Sequence, residues 1–503
     1  MGTERFSIVR RLGAGGMGIV YLAYDREGER QVALKTLHTR NPGEIFRLKN
    51  EFRALAGLSH PNLAQLYELV ADGDRCFFTM EYVEGTDFLS YAQGDASTSP
   101  SKRTTSPTAA TAVLPSEVGY NETLPAGEVP SSTRVNSASA VTPFAIDEAR
   151  LQAVLAQLVR AIHALHTGRM LHLDIKPSNV LVTAEGRVVV LDFGLVTHLE
   201  ASRTRSGASP QQSGGTPAYM APEQALSQGV CEASDWYGVG TMLFEVLTRT
   251  LPFEGSVMDV LRQKLSTEAP HPLKRNPLAP QLLGELCFEM LRRSADARPA
   301  VSTLAAALEV ELTHESILGV PERAVSLIGR ASHAQALREA FDEVRRGNVV
   351  SAFVHGPSGM GKTALVQAFL EELVVGGAAL VLSGRCYERE SVPYKAFDSL
   401  IDELYLYLAD LHEPDLEALL PPHVGALARL FPVLVQLPRV AAEARKVEGI
   451  MEAQELRRQG FAALRELLQR LASKRRTVLF IDDLQWGDLD SAALLGDLLR
   501  PPD

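Results

Sequence analysis

The stretch 172–194 constrains this chain more than any other part of its sequence. It reads His-Leu-Asp-Ile-Lys-Pro-Ser-Asn, continues through an apolar run, and ends in Asp-Phe-Gly. Phosphoryl transfer to a hydroxyl requires a carboxylate beside the attacking oxygen and two oxygen ligands that hold a divalent cation on the nucleotide phosphates. Asp174, Asn179 and Asp192 are side chains of the required kinds, so the stretch predicts a site for this chemistry.

The residues between Asn179 and Asp192 predict a β-hairpin. Two apolar runs, 180–182 and 188–191, flank a glycine-containing turn at 184–186. Short β-branched runs on either side of such a turn are typical of hairpins, so we expect Asp192 to return to the same cleft as the residues before Asn179. The whole stretch resembles the catalytic loop and the Asp-Phe-Gly signature of the protein-kinase superfamily.

A glycine-rich segment near the N-terminus strengthens this resemblance. Residues 13–20 fit the kinase pattern G-x-G-x-x-G-x-V, in which missing side chains let backbone amides cover the phosphates. Val-Ala-Leu-Lys at 32–35 matches the strand whose lysine contacts the α- and β-phosphates. The resemblance implies ATP contacts from Gly13, Gly15, Gly18, Val20, Ala33 and Lys35.

The strand lysine of kinases pairs with a glutamate on the next helix. Glu44 and Glu51 both follow Lys35 and have the required charge. We favour Glu51, because it lies inside an amphipathic run at 45–58, as the corresponding glutamate does in similar kinases.

The run 77–83 resembles the fifth strand of the kinase N-terminal lobe and the hinge that follows it. Met80 falls at the gatekeeper position, and Glu81 to Val83 offer backbone groups to adenine. The resemblance therefore assigns Met80, Glu81 and Val83 to the ATP site.

Motifs after the Asp-Phe-Gly complete the set. The run 215–223, Gly-Thr-Pro-Ala-Tyr-Met-Ala-Pro-Glu, resembles the end of an activation loop, and Asp235 resembles the buried anchor of the following helix. Arg298 resembles the late arginine that pairs with Glu223. Lys176 and Thr216 are the residue types that serine/threonine kinases carry at these places, so the resemblance implies Ser and Thr acceptors.

Leu173 departs from the family pattern, because kinases usually carry an arginine there. That arginine binds a phosphate on the activation loop through charge-assisted hydrogen bonds. The polar segment 195–214 nevertheless contains candidate autophosphorylation sites at Thr204, Ser206, Ser209 and Ser213. The departure leaves one alternative open, a pseudokinase scaffold in which a second nucleotide site is the switch.

One low-complexity segment interrupts the kinase-like region. Residues 92–143 are rich in Ser, Thr, Pro and Ala with few large apolar residues, so they bury too little surface to offset the entropy of ordering. We expect this insert to be disordered. Helical periodicity resumes at 151–165, which places the insert on a surface connection.

A second nucleotide-binding motif follows the kinase-like region. An apolar run at 349–354, predicted to be a strand, precedes Gly-Pro-Ser-Gly-Met-Gly-Lys-Thr at 356–363. This is a P-loop, whose amides wrap phosphates while its lysine and threonine reach the terminal phosphate and a Mg²⁺ ion. The apolar run 477–481 and the two acids after it supply a Walker B motif. The predicted second site comprises Gly356, Gly361, Lys362, Thr363, Asp482 and Asp483.

With Gly-Arg-Cys at 384–386 and Gln-Trp at 485–486, the region resembles the AAA-type and signal-transduction ATPase modules attached to some bacterial serine/threonine kinases. Only 20 residues follow Asp483, so we expect a three-strand fragment of a parallel sheet without later strands or an arginine finger. The module is then either degenerate or part of a longer signalling protein, and we expect it to bind ATP but hydrolyse it slowly.

Composition excludes several other classes of protein. The net charge of −11 argues against broad affinity for nucleic acid or anionic membranes. The four cysteines are scattered without zinc-site spacing, which indicates reduced thiols in the cytoplasm. No apolar run approaches the roughly 18 residues that a membrane span requires, so we expect no membrane anchor.

Together these motifs predict an α+β bilobal protein kinase fold at 6–310, followed by a linker at 311–326 and a partial α/β P-loop NTPase domain at 327–503. The N-terminal lobe is expected at 6–83, and the C-terminal lobe at 84–91 and 144–310. The resemblance implies ATP and Mg²⁺ (or Mn²⁺) as cofactors, with Asn179 and Asp192 as metal ligands. It also implies protein substrates with Ser or Thr acceptors, autophosphorylation and self-association. If the chain is a kinase, Asp174 orients the substrate hydroxyl or accepts its proton, and Lys176 stabilises the transferred phosphoryl group. Lys35 and Glu51 then position the nucleotide.

Overall fold

The computed structural model describes residues 4–15, 18–37, 41–72, 75–94, 143–193, 197–198, 216–226, 228–312, 329–447 and 452–500. Most of the predicted insert and the candidate autophosphorylation sites Thr204, Ser206, Ser209 and Ser213 lie outside these residues. No helix within the described ranges is both long and apolar enough to cross a lipid bilayer.

The first part of the chain forms an antiparallel sheet. Its strands are β1 (Phe6–Gly15), β2 (Gly18–Asp25), β3 (Arg30–Thr36), β4 (Leu66–Asp72) and β5 (Arg75–Glu81). They lie in the order β1-β2-β3-β5-β4. Strand β5, which leads to the predicted hinge, therefore lies beside β3, which carries the predicted lysine. This order places Lys35 and Met80 on adjacent strands.

One helix, α1 (Pro42–Leu55), connects β3 to β4. Asn41 caps it by accepting a hydrogen bond from the Gly43 amide, and a proline at the first position has the backbone angle that a helix start requires. The predicted run 45–58 began three residues too late because this cap was not recognised, and the helix ends three residues earlier than predicted. Phe52 of this helix is almost fully buried and packs on Phe78 of β5, with ring centroids 6.0 Å apart.

A helical lobe follows the first sheet. Its helices are α2 (Phe88–Ala92), α3 (Glu148–Thr167), α4 (Pro222–Ala225), α5 (Glu232–Thr248), α6 (Val257–Ser266), α7 (Pro272–Arg275), α8 (Gln281–Met290) and α9 (Val301–Ala307). The apolar positions that predicted α3, including Leu151, Leu158 and Leu165, are completely buried against the rest of the lobe.

Short strands of this lobe flank the candidate catalytic residues. They are β6 (Thr86–Asp87), β7 (Met170–Leu171), β8 (Val180–Val182), β9 (Val188–Val190) and β10 (Thr197–His198). The predicted hairpin is present as β8 and β9, which pair antiparallel with Val180 opposite Val190.

A second, mainly helical unit begins after residue 329. Its helices are α10 (Ala331–Arg345), α11 (Lys362–Val375), α12 (Lys395–Ala409), α13 (Glu413–Leu419), α14 (Val424–Leu430), α15 (Pro438–Lys446), α16 (Ala453–Lys474) and α17 (Leu489–Leu498). Its strands are β11 (Leu380–Arg385), β12 (Glu390–Ser391) and β13 (Thr477–Asp482). Strands β11 and β13 pair in parallel with Arg385 opposite Asp482, and α12 and α16 bury their apolar faces in one core.

The prediction of a strand at 349–354 is wrong. These residues run without regular structure up to the P-loop, and Val349 is 90% exposed and Phe353 62% exposed. A strand requires hydrogen bonds to a neighbour, and β13 pairs only with β11 among the described strands. The apolar composition of the run was therefore insufficient to predict a strand, because no described strand pairs with it.

The two units share one sheet. Strand β12 of the second unit pairs in parallel with β4 of the first, with Glu390 opposite Leu69 and Ser391 opposite Val70. The sheet of the N-terminal lobe consequently has six strands, in the order β1-β2-β3-β5-β4-β12. Nothing in the sequence predicted this junction.

Candidate active site

Two side chains of the catalytic loop, Lys176 and Asn179, contact Asp174. The Lys176 ammonium lies 2.7 Å from Asp174 Oδ2. The Asn179 amide nitrogen donates to the Asp174 backbone oxygen at 2.9 Å and to Asp174 Oδ2 at 3.1 Å. These bonds orient the amide so that Asn179 Oδ1 is left to accept from other groups, the form in which an asparagine binds a hard cation.

Thr216 closes the same cluster from the end of the activation segment. Its amide donates to Asp174 Oδ1 at 3.3 Å, and its hydroxyl accepts from Lys176 Nζ at 3.2 Å. The predicted pair Lys176 and Thr216 is thus brought together around the candidate catalytic carboxylate.

Asp235 of α5 fixes the backbone that precedes Asp174. The carboxylate of Asp235 is almost fully buried and accepts from the amides of His172 at 2.9 Å and Leu173 at 2.7 Å. His166 bonds the same carboxylate at 2.8 Å. Burial opposes ionisation, but the bond from His166 and the backbone amides hold the pKa of Asp235 below its usual value.

Leu173 adopts a left-handed backbone conformation, with φ of +62°. A bulky residue rarely adopts this conformation and retains it only where the surroundings impose it. Here Asp235 holds the amide of Leu173, and Gln224 donates to its carbonyl at 2.9 Å. The replacement of arginine by leucine therefore leaves the geometry of the catalytic loop in place.

Lys35 lies between two acids. Its ammonium is 2.6 Å from Glu51 Oε1 and 2.6 Å from Asp192 Oδ1. Burial opposes the charge on Lys35, but the two carboxylates outweigh it and raise the pKa of this lysine. Burial likewise opposes ionisation of Asp192, and Lys35 holds its pKa below the usual value. The structure pairs Lys35 with Glu51 rather than with Glu44.

The hinge strand contacts the lysine strand at the predicted adenine site. Ala33 lies opposite Met80 in the ladder, and both are buried. The amide of Glu81 donates to the Gln65 carbonyl at 2.8 Å, and Glu81 lies opposite Val32 at the end of the ladder.

The glycine-rich loop joins β1 and β2. Gly13 lies opposite Val20, and Gly15 lies opposite Gly18. A Cβ atom at Gly18, where φ is +142°, would lie 2.2 Å from the Thr36 carbonyl oxygen. Only glycine fits this position, so the loop stays close to the lysine strand.

The predicted second site is centred on the N-terminus of α11. Gly361 precedes this helix in the left-handed conformation, and Gly356 also has a positive φ. Lys362 Nζ lies 3.0 Å from the carbonyl oxygens of Gly356 and Pro357, so the lysine folds over its own loop. A helix N-terminus preceded by such a loop presents amides to an anion.

The acids of the Walker B motif face this loop. Thr363 Oγ1 donates a hydrogen bond to Asp482 Oδ1 at 3.1 Å. This contact brings together two oxygen atoms of the kind that bind a metal ion. Asp483 is held differently, because Arg385 Nη2 lies 3.0 Å from its Oδ2. Arg385 was part of the Gly-Arg-Cys motif, but its contact with Asp483 was not predicted.

Sequence reasoning missed a charged cluster beside helix α1. Lys49 and Arg53 of this helix contact acids of the second unit, which are Glu390, Asp398 and Asp402. The spacing of Lys49 and Arg53 indicates a shared helix face, but no signal in the sequence pairs that face with residues more than three hundred positions later.

Comparison with protein-family models gives two matches. The model for protein tyrosine and serine/threonine kinases matches residues 6–308, which is more than half of the chain. The model for the AAA ATPase domain matches residues 326–503. The predicted succession of a bilobal α+β kinase fold and an α/β P-loop domain is confirmed.

Curated relatives match the kinase part of the chain. The chain is 30% identical over 281 residues to the serine/threonine-protein kinase PrkC of Bacillus subtilis, a match that covers 55% of this chain and 36% of PrkC. It is 32% identical over 301 residues to the DNA damage-responsive serine/threonine-protein kinase RqkA of Deinococcus radiodurans, covering 59% of this chain and 37% of RqkA.

A third relative is the serine/threonine-protein kinase pkn2 of Myxococcus xanthus, 28% identical over 304 residues, which cover 59% of this chain and 31% of pkn2. The chain thus spans about a third of the length of each of these relatives. By the kinase model and the ordered site residues, the chain belongs to the protein tyrosine and serine/threonine kinase family.

Proposed function

We propose that this protein is a serine/threonine protein kinase that transfers the γ-phosphoryl group of ATP to itself and to other proteins. The observation that carries the proposal is the convergence of Lys176 and Thr216 on the Asp174 carboxylate, within hydrogen-bonding distance. Similarity to relatives named serine/threonine-protein kinases supports it. A pseudokinase has no use for this arrangement, because binding a nucleotide requires no group beside the acceptor hydroxyl.

Asp174 is the residue that meets the acceptor hydroxyl. Its Oδ2 is held by Lys176 and Asn179, and 12% of its side-chain surface remains exposed. A carboxylate held in this way orients the hydroxyl and accepts its proton as the bond to phosphorus forms. Lys176 is placed to steady the negative charge that develops on the transferred group.

ATP binds between the glycine-rich loop and the hinge in this proposal. Ala33 and Met80 form the apolar wall for adenine, and the carbonyl of Glu81 and the backbone of Val83 supply its hydrogen bonds. Lys35, fixed by Glu51 at 2.6 Å, meets the α- and β-phosphates. The glycines Gly13, Gly15 and Gly18, with Val20, cover the phosphates.

Asn179 and Asp192 fit a divalent cation, which we propose to be Mg²⁺ or Mn²⁺. Carboxylate and amide oxygens are the hard donors that these ions prefer, and Asp192 stays ionised beside Lys35. The ion would neutralise phosphate charge. Asp174 would still orient the acceptor hydroxyl, and Lys35 would still hold the α- and β-phosphates.

The acceptor class follows from Lys176 and Thr216. These are the residue types that serine/threonine kinases carry at the two places, and their side chains contact each other at 3.2 Å beside Asp174. We infer protein substrates, self-association for autophosphorylation, and action in the cytoplasm. All four cysteines are free thiols, which suits a reducing compartment.

The AAA ATPase domain is proposed to be a second ATP-binding module with a regulatory role. Gly356, Gly361 and Lys362 would hold phosphates, and Thr363 with Asp482 would hold the metal ion. Asp483 is the acid nearest to an attacking water in such a module.

The proposal is tested by incubating the full chain with γ-labelled ATP and Mg²⁺ and identifying the labelled amino acids. We expect phosphoserine or phosphothreonine in the wild type and a loss of at least a hundredfold in Asp174→Asn. Asp296→Asn, which changes an exposed aspartate of the same lobe, serves as the matched control and keeps the wild-type rate. Equal labelling of wild type and Asp174→Asn would refute the assignment.

A further inference from the structure

The AAA ATPase domain contacts the kinase N-terminal lobe through its backbone. The Leu69 amide of β4 donates to the Arg389 carbonyl at 3.0 Å, and Glu390 and Ser391 continue the pairing as strand β12. Backbone pairing fixes the register of β12 on β4, because a shift by one residue would turn Glu390 to the other face of the sheet.

An ion cluster anchors the same contact from the side of helix α1. Lys49 Nζ lies 2.6 Å and 2.9 Å from the two carboxylate oxygens of Asp398. Arg53 bonds three acids at once, through Nε to Glu390 at 3.0 Å, through Nη2 to Asp398 at 2.5 Å and through Nη1 to Asp402 at 2.9 Å. Two cations thus face three carboxylates.

All five side chains of this cluster are less than one tenth exposed. Removing charges from water is strongly unfavourable unless each meets a partner in good geometry. The cluster therefore holds together only in one relative placement of helix α1 and α12, and it specifies that placement. A ring contact between Phe46 of α1 and Tyr405 of α12, at 5.8 Å, adds an apolar part to the same interface.

Helix α1 is held from two sides. Lys49 and Arg53 are four residues apart, so they share one face, whereas Glu51 lies between them in sequence and points to the opposite face. That opposite face is the one that reaches Lys35 of the kinase site. Any movement of α1 away from the AAA ATPase domain would also change the distance between Glu51 and Lys35.

The segment that meets helix α1 is also connected to the second nucleotide site. The Cys386 amide donates to the Asp482 carbonyl at 3.1 Å, and Arg385 contacts Asp483 at 3.0 Å. Five residues beyond Arg385, Glu390 contacts Arg53. One short stretch of chain therefore joins the Walker B acids to helix α1.

We propose that the AAA ATPase domain holds helix α1 in the position in which Glu51 reaches Lys35, and that Lys49 and Arg53 are positioning residues for phosphoryl transfer. The proposal rests on the proposed kinase function for its catalytic readout. A helix released from the AAA ATPase domain populates other positions, and the rate falls with the population of the productive one.

The test is a double-mutant cycle in the full chain with Lys49→Met, Asp398→Leu and the combination of both. Lys49→Met leaves Arg53 as the one cation facing the three buried carboxylates, whereas Asp398→Leu leaves the buried Lys49 ammonium without the carboxylate that it contacts. The double change removes one cation and one carboxylate, and replacing both partners of a buried ion pair by apolar residues is often neutral. The matched control is Arg47→Met, which removes an exposed cation from the same helix.

Two readouts are taken, kcat with KM for ATP and hydrogen exchange of the amides of α1. We expect each single variant to lose at least tenfold in kcat and to exchange faster in α1 but not in β1 to β3. The double variant should return to within about threefold of the wild-type kcat, and the control should match the wild type.

Two results would overturn the proposal. One is wild-type kcat and unchanged exchange of α1 in both single variants; the other is loss of kcat in both the single and double variants while the exchange of α1 stays unchanged. Hydrogen exchange also separates this proposal from the kinase assignment. If the wild type transferred no phosphate, the kinase assignment would fail, whereas the exchange of α1 would still report whether the AAA ATPase domain holds the helix.

Discussion

Glu51 and Arg53 lie two residues apart on helix α1, and their side chains contact different domains. Glu51 Oε1 is 2.6 Å from Lys35 Nζ in the kinase site, and Arg53 Nη2 is 2.5 Å from Asp398 Oδ2 in the AAA ATPase domain. One helix therefore carries both the contact that we propose positions ATP and the contact that joins the two domains.

The contact between Lys35 and Glu51 is expected to control the rate rather than the fold. Lys35→Met should lower kcat/KM for ATP by at least a hundredfold, because it removes a preorganised charge that meets the phosphates. Glu51→Gln should lower it by about tenfold or more, because the amide no longer attracts the ammonium. Glu44→Gln is the matched control on the same helix and should stay within about threefold of the wild type. A larger effect of Glu44→Gln than of Glu51→Gln in steady-state assays would reverse the pairing.

The activation segment is expected to matter little through phosphorylation. Because Leu173 cannot bind a phosphate, simultaneous alanine substitution of Thr204, Ser206, Ser209 and Ser213 should change kcat/KM by less than about tenfold, or about 1.4 kcal/mol of transition-state stabilisation. The measurement compares initial rates on a peptide substrate for the wild type after incubation with ATP and Mg²⁺ and for the alanine variant treated in the same way. A thousandfold loss would mean that another cation reads a phosphate on this segment.

The P-loop is expected to form a nucleotide site separate from that of the kinase. Calorimetric titration of the full chain with a non-hydrolysable ATP analogue should give two sites per chain for the wild type and one for Lys362→Ala. Lys446→Ala, which changes a lysine exposed on α15, is the control and should keep two sites. A stoichiometry of one in the wild type would show that the P-loop does not bind.

Hydrolysis at the P-loop is expected to be slow. Fast hydrolysis requires an acid that is free to orient water, and Asp483 is held by Arg385 at 3.0 Å. Release of phosphate by the Asp174→Asn protein should therefore be slow, and Arg385→Ala should raise it. Rapid release that disappears in Lys362→Ala would contradict this account.

The ion cluster is expected to make the contact between the domains depend on pH. Burial, together with the neighbouring Asp398, raises the pKa of Asp402 to about 7. An acid whose pKa is higher in the docked state binds more protons there, so docking weakens as pH rises from about 4 toward 7 and is constant above. The slope is at most about 1.4 kcal/mol per pH unit.

The groups that face Asp402 set the sign of this effect. Lys49 and Arg53 of α1 favour its ionised form, whereas Asp398 and burial oppose it. Hydrogen exchange of α1 in the wild type should accelerate between pH 5 and pH 7 beyond the intrinsic change, and Asp402→Asn should reduce this excess; burial also raises the pKa of Glu390, which contributes in the same direction. Asp410→Asn, an exposed position at the end of α12, should leave it intact. Equal excess acceleration in the wild type and Asp402→Asn would exclude Asp402 as the source.

The grouping of the candidate catalytic residues could be predicted from the sequence because short motifs contain them. Asp174, Asn179 and Asp192 lie on one loop and one hairpin, so their spacing alone brings them together. Lys35 and Glu51 come from adjacent elements, and the pattern of the family was sufficient to choose Glu51 over Glu44.

Other features could not be predicted, because they depend on distant parts of the chain. The run 349–354 has the composition of a strand but no described neighbour to pair with. Arg53 meets Glu390 and Asp402, which are 337 and 349 positions away, and no local pattern specifies such a contact. Helix α1 itself was recognised, and its start was placed three residues too late because the cap at Asn41 was overlooked.

The most direct test of the central claim uses the Lys362→Ala background, in which ATP is expected to have only the kinase site. Binding of ATP and transfer of its γ-phosphoryl group to Ser or Thr are measured with and without Asp174→Asn. The account predicts that Asp174→Asn keeps ATP affinity within about tenfold while transfer falls by at least a hundredfold, because Asp174 meets the acceptor and not the adenine. Binding of ATP without any transfer by the protein that retains Asp174 would contradict the account and support a pseudokinase scaffold.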